Sequence, residues 1–259
     1  MEATKTIYDH PRYYEVMFGD RDVAAEAAFM RLCMKRYSPV PVKRVLEIAC
    51  GGAPHAEEFL KAGLDYAGLD INPQMLAYAE EKLAPYPGRS TLFKSDLADF
   101  VCHVPVQFVY VLIGSLYVET EEGLWTHFDS VAEALSPGGL YFLDWCIQFE
   151  DPTGPHVVRD FEIESGDIRL KSHFDIEVIN PKARVYREEW KVEVTENGKS
   201  QSFEAVETNR AIFPDEFLEF LDKQGRFELA GWFQDWDLTR PIEASGEVDR
   251  PIVILRKIR

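Results

Sequence analysis

Residues Val45 to His55 read VLEIACGGAPH. A short apolar run, Val45–Ile48, carries one acid, Glu47, and then gives way to Ala-Cys-Gly-Gly-Ala-Pro. An apolar run of this length bounded by turn residues reads as a strand buried on both faces. The glycines Gly51 and Gly52 tolerate positive φ and let the backbone approach a bound molecule closely, and the small Ala49 and Ala53 keep the floor of that turn open. A helix is expected from Pro54 to Ala62, with proline in its first turn and Gly63 as its stop. Its free N–H groups would point toward the same turn.

Outward from this unit, strands and helices alternate. Apolar residues recur at three and four from Pro11 to Tyr37, interrupted at Gly19-Asp20, and predict two helices ended by Ser38-Pro39. Strands are expected at Leu64–Leu69, Thr91–Lys94, Phe108–Ile113 and Leu140–Leu143. Helices are expected at Pro73–Leu83, capped by Asn72, and at Glu121–Leu135. Continuously apolar strands separated by helices predict an α/β fold with a doubly wound, mostly parallel sheet of seven strands. After Trp145 the texture changes. Four segments between Val157 and Ile212 alternate apolar and polar residues and are separated by Gly166, Asn180-Pro181 and Asn197-Gly198, which predicts an inserted antiparallel sheet. A helix at Pro214–Gln224 and strands near Phe227–Phe233 and Ile252–Lys257 complete the main sheet. The expected organisation is 1–148 for the N-terminal helices and core, 149–212 for an antiparallel cap, and 213–259 for the return to the core.

Composition narrows the partners. The net charge is -17, and Lys and Arg form no dense cluster. Such a surface repels a phosphate backbone and an anionic bilayer, so neither nucleic acid nor membrane is an expected partner. The four cysteines, Cys33, Cys50, Cys102 and Cys146, lie far apart, without zinc-like spacing, and read as reduced thiols. The start MEATKTIYDHPRYYEV has neither a basic n-region nor an apolar h-region, and a cytoplasmic location is the expectation.

In an open parallel sheet, ligands bind beyond the carboxyl ends of the strands, where strand order reverses. Acids stand at three such ends: Glu47, Asp70 in GLDINP, and Asp96 in KSDLADF. A carboxylate after the second strand suits a ribose diol, because it accepts from both hydroxyls. Asp96 is placed to accept from an exocyclic amine such as that of adenine, with Ile71, Met75 and Leu97 offering apolar surface for the base. For Glu47 alone, a strand-end pairing with Lys43 or Arg44 is the plainer reading; with Gly51, Asp70 and Asp96 in place, a ligand site is the stronger one.

LEIACGGA resembles the first motif of class I methyltransferases that use S-adenosylmethionine. The likeness continues through GLDINPQMLAYAEEK, SDLADF, VLIGSLYV and ALSPGGLYFLDW, over nearly all of residues 40–145. More loosely, the chain resembles the subgroup with an antiparallel cap, which includes small-molecule N-methyltransferases of amino sugars and glycine, and YDHPRYYEVMFGD looks like their Tyr-rich start. The resemblance implies a Rossmann-like methyltransferase fold and S-adenosyl-L-methionine as cofactor. It places Gly51 close to the methionine part, Asp70 on the ribose and Asp96–Leu97 at adenine. Glu47 would orient the loop or reach the cofactor's ammonium through water. Ala49, Gly52 and Ile113 belong to the same expected cofactor site. Two positions depart from the family pattern: Ala53 replaces the usual last glycine, and Gln107-Phe108-Val109 lacks an acid often found at the start of the fourth strand.

On the acceptor side, Tyr13, Tyr14, Tyr117 and Trp145 are the expected aromatics, core or cap packing being the alternative for each. His55 reads as a packing or solvated residue rather than a base. His173 lies in the cap on a face that alternation leaves open. Glu188, Glu189 and similar cap charges read as a solvated face, and Trp232, Phe233 and Trp236 as the seam between cap and sheet. No metal site is expected. The expected reaction is methyl transfer to a small molecule held under the cap, by in-line displacement, which needs a base only if the acceptor must lose a proton. Two alternatives remain: a non-catalytic relative that binds the cofactor, and an NAD-dependent oxidoreductase. The second lacks the third glycine of Gly-x-Gly-x-x-Gly and would set Glu47 against a pyrophosphate. The acceptor's identity and the oligomeric state stay open.

Overall fold

The computed structural model describes residues 6–153, 160–242, 248 and 250–258. Val157–Arg159, at the start of the first expected cap segment, lie outside the described residues. A single 3₁₀ turn, Ile7–Asp9, leads into α1 (Pro11–Met17) and α2 (Val23–Tyr37). Asp22 caps α2 by accepting from the Ala25 N–H.

The main sheet contains β1 (Arg44–Ile48), β2 (Asp65–Asp70), β3 (Ser90–Lys94), β4 (Val106–Val111), β5 (Leu135–Asp144), β10 (Phe227–Gln234) and β11 (Pro251–Lys257). Its order is β10-β11-β5-β4-β1-β2-β3, and β11 runs antiparallel to both neighbours. Strand order therefore reverses between β1 and β4, which opens a crevice at their carboxyl ends. The helices α3 (Ala56–Lys61), α4 (Pro73–Leu83), α5 (Glu121–Ala134) and α6 (Pro214–Gln224) cover the two faces. One face packs Leu46, Val109 and Tyr141 against Phe128 and Phe217. The other packs Val45, Phe108 and Phe142 against Met30 and Phe59. With both faces covered, neither requires polar residues, which is why the strands read as unbroken apolar runs.

The cap is a four-stranded antiparallel sheet, β6 (Asp160–Ser165), β7 (Ile168–Asn180), β8 (Val185–Glu196) and β9 (Lys199–Arg210), in that order. Asn197 and Gly198 both take positive φ at the β8–β9 turn, as a two-residue hairpin requires. The inner face, including Leu170, Trp190, Val192 and Phe203, closes over Ile7 and Met17. The outer face carries ion pairs such as His173–Asp160 at 2.6 Å, which puts His173 on the wet side. Arg210 N–H donates to the Val118 carbonyl and Val118 N–H to Asn209 Oδ1, stitching β9 to the segment after β4.

Two local expectations are corrected. The helix after the glycine turn begins at Ala56, not Pro54, and has only six residues, because Ala53 is left-handed and Pro54 belongs to the turn. Trp232, Phe233 and Trp236 do not form the cap seam. Neighbours on a strand point to opposite faces. Trp232 therefore packs on Phe149 and Phe217, whereas Phe233 meets Tyr37 on the other side of β10, and Trp236 meets Phe29 and Phe142. The seam is built instead by the N-terminal turn and α1. Among the described residues no helix is long and apolar enough to cross a membrane.

Candidate functional site

Three adjacent strands each hand over to a left-handed residue that is not glycine: Ala49 after β1 (φ 53), Ile113 near the end of β4 (φ 50) and Trp145 after β5 (φ 60). Each such residue costs about 1–2 kcal/mol, so its surroundings must hold it in place. They do. Cys50 N–H donates to the Leu69 carbonyl, Trp145 N–H to the Pro251 carbonyl, and Ile113 N–H to Asp144 Oδ2 at 2.8 Å. Asp144 is fully buried and also accepts two hydrogen bonds, at 2.7 and 2.6 Å, from Arg250, whose guanidinium reaches over Trp145. Strain collected at the mouth of the crevice marks where the fold is shaped for something other than its own stability.

The glycine turn forms the floor of that mouth. Gly51 takes φ 50, and a Cβ built there would meet only Met75 Sδ at 3.9 Å, so the position is open on its ligand side. At Gly52 a Cβ would stand 3.1 Å from Tyr78 Cδ1, so a side chain there must displace the tyrosine. Asp70 Oδ2 accepts from Gly51 N–H at 2.7 Å and Oδ1 from Asn72 N–H at 2.8 Å. A carboxylate has about four acceptor sites, so these N–H donors leave acceptor capacity for a diol. Burial raises the Asp70 pKa, against the lowering influence of these N–H donors. Beside it Ile71 is 62% exposed, Met75 is buried, and Leu97 is half-buried after β3. This is an uncovered apolar step at the strand ends. Asp96 is exposed, with Oδ1 accepting from Ala98 N–H at 2.8 Å.

Glu47 lies beneath the turn rather than in the crevice. It is 4% exposed and accepts from Tyr66 Oη at 2.5 Å and Tyr110 Oη at 2.9 Å, with His55 Nδ1 at 3.7 Å. Lys43 and Arg44 are not its partners: alternation along β1 points Arg44 to Asp65. His55, fully buried, places Nε2 2.7 Å from Glu26, which Arg21 also holds. Burial pulls the His55 pKa down, but the hydrogen bond to Glu26 and the nearby Glu47 carboxylate outweigh it and the net shift is upward. Histidine, two glutamates and two tyrosines thus brace the turn from below.

His127 does similar work under the Asp96–Leu97 segment. Burial lowers its pKa to about 4, so the ring is neutral near pH 7. Its Nδ1–H donates to the Leu97 carbonyl and Nε2 accepts from Tyr141 Oη, both at 2.7 Å. Sequence reading missed this support. A lone histidine in a helix carries no spacing signal, and its partners lie 30 and 14 residues away.

The aromatics divide. Tyr14 packs against Tyr8, Phe18 and Trp190 and stands within electrostatic reach of both Asp70 and Glu207, so it bridges crevice and cap. Tyr117 Oη donates to Glu188 Oε2 at 3.4 Å. Trp145 is 51% exposed at the mouth. Tyr13 turns away: its hydroxyl donates to Glu196 at the far end of β8 and accepts from Gln201. Tyr13 and Tyr14 are consecutive on α1 and so about 100° apart around the helix, enough to send them to different neighbours. Tyr8 was not singled out from the sequence, although it sits in the same Tyr-rich start.

Glu188 corrects the expectation of a solvated cap charge. On β8 it shares the inward face with Tyr186 and Trp190, while Glu189 faces out to Arg187 and Lys191. Glu207 lies directly opposite it on β9, between the inward-facing Ala205 and Asn209. The alternation around Trp190 carried this signal; the run of charges hid it.

Residues 45–139 match the family model described as a methyltransferase domain. The segment thus resembles methyltransferase domains. A curated relative, dTDP-3-amino-3,4,6-trideoxy-alpha-D-glucopyranose N,N-dimethyltransferase of Streptomyces venezuelae, is 32% identical over 139 residues, covering 52% of this chain and 56% of that protein. A dTDP-4-amino-2,3,4,6-tetradeoxy-D-glucose N,N-dimethyltransferase of Saccharopolyspora spinosa is 26% identical over 146 residues, covering 54% and 57%. The aligned part thus spans a little over half the length of these relatives. Among solved structures, an S-adenosylmethionine-dependent methyltransferase from Clostridium acetobutylicum superposes with TM-score 0.77 at 16% identity, over 95% of this chain and 96% of that one. DesVI of Streptomyces venezuelae does so with TM-score 0.76 at 21% identity, over 95% and 97%. At these identities the likeness is one of fold, and it covers nearly the whole chain, the cap included.

Proposed function

We propose that the protein transfers a methyl group from S-adenosylmethionine to the nitrogen of a small amine, an amino sugar being the best-supported class, held between the strand ends and the cap. The observation that carries this reading is the open left-handed turn at Gly51 tied to the Asp70 carboxylate, below a cap whose inner wall presents Trp190 and two carboxylates beside Tyr14 of α1. The residues present fit the cofactor. Asp70 keeps acceptor capacity for a ribose diol, and Gly51 admits close approach of the methionine part. The step at Ile71, Met75 and Leu97 offers a surface for the base, and Asp96 an acceptor at its edge.

The bound cofactor supplies an activated methyl group on a sulfonium. What this chain contributes is placement. Holding an acceptor in line with a reactive group is worth up to about 7–11 kcal/mol of barrier. Aromatic faces such as Tyr14 favour nearby positive charge, by about 0.5–2 kcal/mol per contact. The names of the two amino-sugar N,N-dimethyltransferases support nitrogen as the acceptor atom. The nicotinamide alternative fits worse, since the turn has no third glycine and the acids at the mouth would repel a pyrophosphate.

Titration calorimetry with S-adenosylmethionine and with NAD tests the cofactor assignment, and release of S-adenosylhomocysteine with a panel of aminodeoxy sugars tests the reaction. Binding of S-adenosylmethionine in the micromolar range with turnover on an amine is the expected result. Absence of binding at tens of micromolar refutes the reading; binding without turnover on any amine favours a non-catalytic relative.

A further inference from the structure

Glu188 and Glu207 are cross-strand partners on the inner face of the cap, where Tyr186, Trp190, Ala205 and Asn209 flank them along the two strands. Like charges directly opposite on a sheet are destabilising. Among the described residues neither glutamate enters an ion pair; the lysine and arginine of β8 nearest in sequence, Lys191 and Arg187, face the opposite side of the sheet with Glu189. Both carboxylates instead face phenols from the core side. Tyr117, on the segment after β4, donates to Glu188, and Tyr8, in the 3₁₀ turn, lies within electrostatic reach of Glu207. Tyr14 completes the surround and reaches toward Asp70 at the cofactor turn. The pair therefore looks into the seam between cap and strand ends, where the proposed acceptor sits.

We propose that Glu188 and Glu207 bind the acceptor as its ammonium ion and that the pair takes one of its protons, so that a neutral amine faces the methyl donor. This rests on the methyl-transfer reading above and adds to it a catalytic base and a preference for cationic acceptors. The balance is simple. An N–H bond of the ammonium breaks, its electrons stay on nitrogen as the lone pair, and the proton goes to a glutamate oxygen. The lone pair forms the new N–C bond while the C–S electrons leave with sulfur, and the carboxyl then returns its proton to water.

The electrostatics agree with the geometry. Burial, followed by the neighbouring Glu188, raises the Glu207 pKa to about 7, while the Tyr8 phenol nearby restrains the rise. Burial also raises Glu188, against the Tyr117 bond. Tyr8, Tyr14 and Tyr117, the other titratable groups facing the pair, are all held above the usual phenol value, chiefly by burial, and so stay neutral donors at physiological pH. Two facing carboxylates with one proton between them give one ionised partner near neutrality, as a base requires.

The test compares wild type with Glu207→Gln and Glu188→Gln, using S-adenosylmethionine and methyl 3-amino-3-deoxy-α-D-glucopyranoside. Removal of a general base is expected to lower kcat/KM by about 10²–10⁴ at pH 7. The affinity for S-adenosylmethionine should stay within about twofold of wild type. The deficit should shrink as pH passes the amine's own pKa, because neutral acceptor then arrives unaided; a merely structural role would not produce that rescue. A pH-independent deficit, or none, overturns the proposal while leaving methyl transfer standing. Failure of wild type to bind S-adenosylmethionine removes both. An infrared titration of the cofactor-free protein needs no acceptor. A protonated-carboxyl band persisting to near pH 7 and lost in Glu207→Gln is expected; its absence at pH 6 in wild type overturns the pairing.

Discussion

Replacing Glu207 by glutamine removes a charge that the folded protein holds at a disadvantage. In the folded chain Glu207 titrates at about 7, against an ordinary value of 4.5. From about pH 4.5 to 7 the native state therefore keeps a proton that the unfolded state has lost. Stability then falls with rising pH across that window and is flat above it. The gap between that value and the ordinary one corresponds to a ceiling of roughly 3 kcal/mol. Glu207 is half-buried rather than sealed, so solvent screening reduces this to about 1–2 kcal/mol. Glutamine stays neutral at every pH and nearly preserves the side chain's shape. The variant should match wild type near pH 5 and exceed it by about 1–2 kcal/mol at pH 8, about 2–8 °C in Tm for a chain of this size. Urea midpoints followed by tryptophan fluorescence from pH 5.5 to 8.5 measure this, since Trp190 lies next to Glu188 on the inward face. Because the comparison is a difference between two proteins, titrating groups remote from the pair cancel, and the gap reports Glu207 together with its partner Glu188. A pH-independent gap, or a variant less stable at pH 8, refutes the assignment of a shared proton.

Asp70→Ala should weaken S-adenosylmethionine about 10–100-fold by calorimetry, since charge-assisted hydrogen bonds are worth about 1.5–3 kcal/mol, and an unchanged affinity would remove the ribose assignment. His55→Ala leaves Glu26 and Glu47 buried without their shared partner and should cost about 3–5 kcal/mol. The folded pKa of His55 is raised, so its contribution is complete below about 6.5 and lost as pH climbs through the folded value. The gap between wild type and variant should accordingly be widest at low pH in urea titrations. Asp144→Ala strands the Arg250 guanidinium and frees the Ile113 N–H, at about 3–5 kcal/mol. Asp144→Asn keeps an acceptor for Ile113 and should lose less, as differential scanning calorimetry would show.

Much of the fold was legible because its determinants are local. The unbroken apolar runs of β1 and β4, Asn72 ahead of Pro73, and Asn197-Gly198 between alternating segments each settle their own element from nearby residues. Pro214–Gln224 and Pro73–Leu83 were read to the residue for the same reason. The glycine turn and the acids at the strand ends were legible too, because spacing along the chain maps onto one end of a parallel sheet. Two errors at this level came from treating flanking residues alone. Pro54 was assigned to a helix that the left-handed Ala53 delays, and Glu188 was grouped with Glu189 although alternation separates them.

Which distant groups share a buried volume was decided only by tertiary structure. Glu47 faces Tyr66, Tyr110 and His55 rather than Lys43 or Arg44, and Glu188 meets Glu207 across 19 residues of chain and Tyr117 across 71. Side-chain partnerships of this kind depend on strand order, register and the closing of the cap over α1, none of which leaves a periodic mark in the sequence. Local preference selects helices, strands and turns; the low dielectric of the interior then determines which carboxylates are braced and which are left holding a proton, and that choice exists only once the chain has folded.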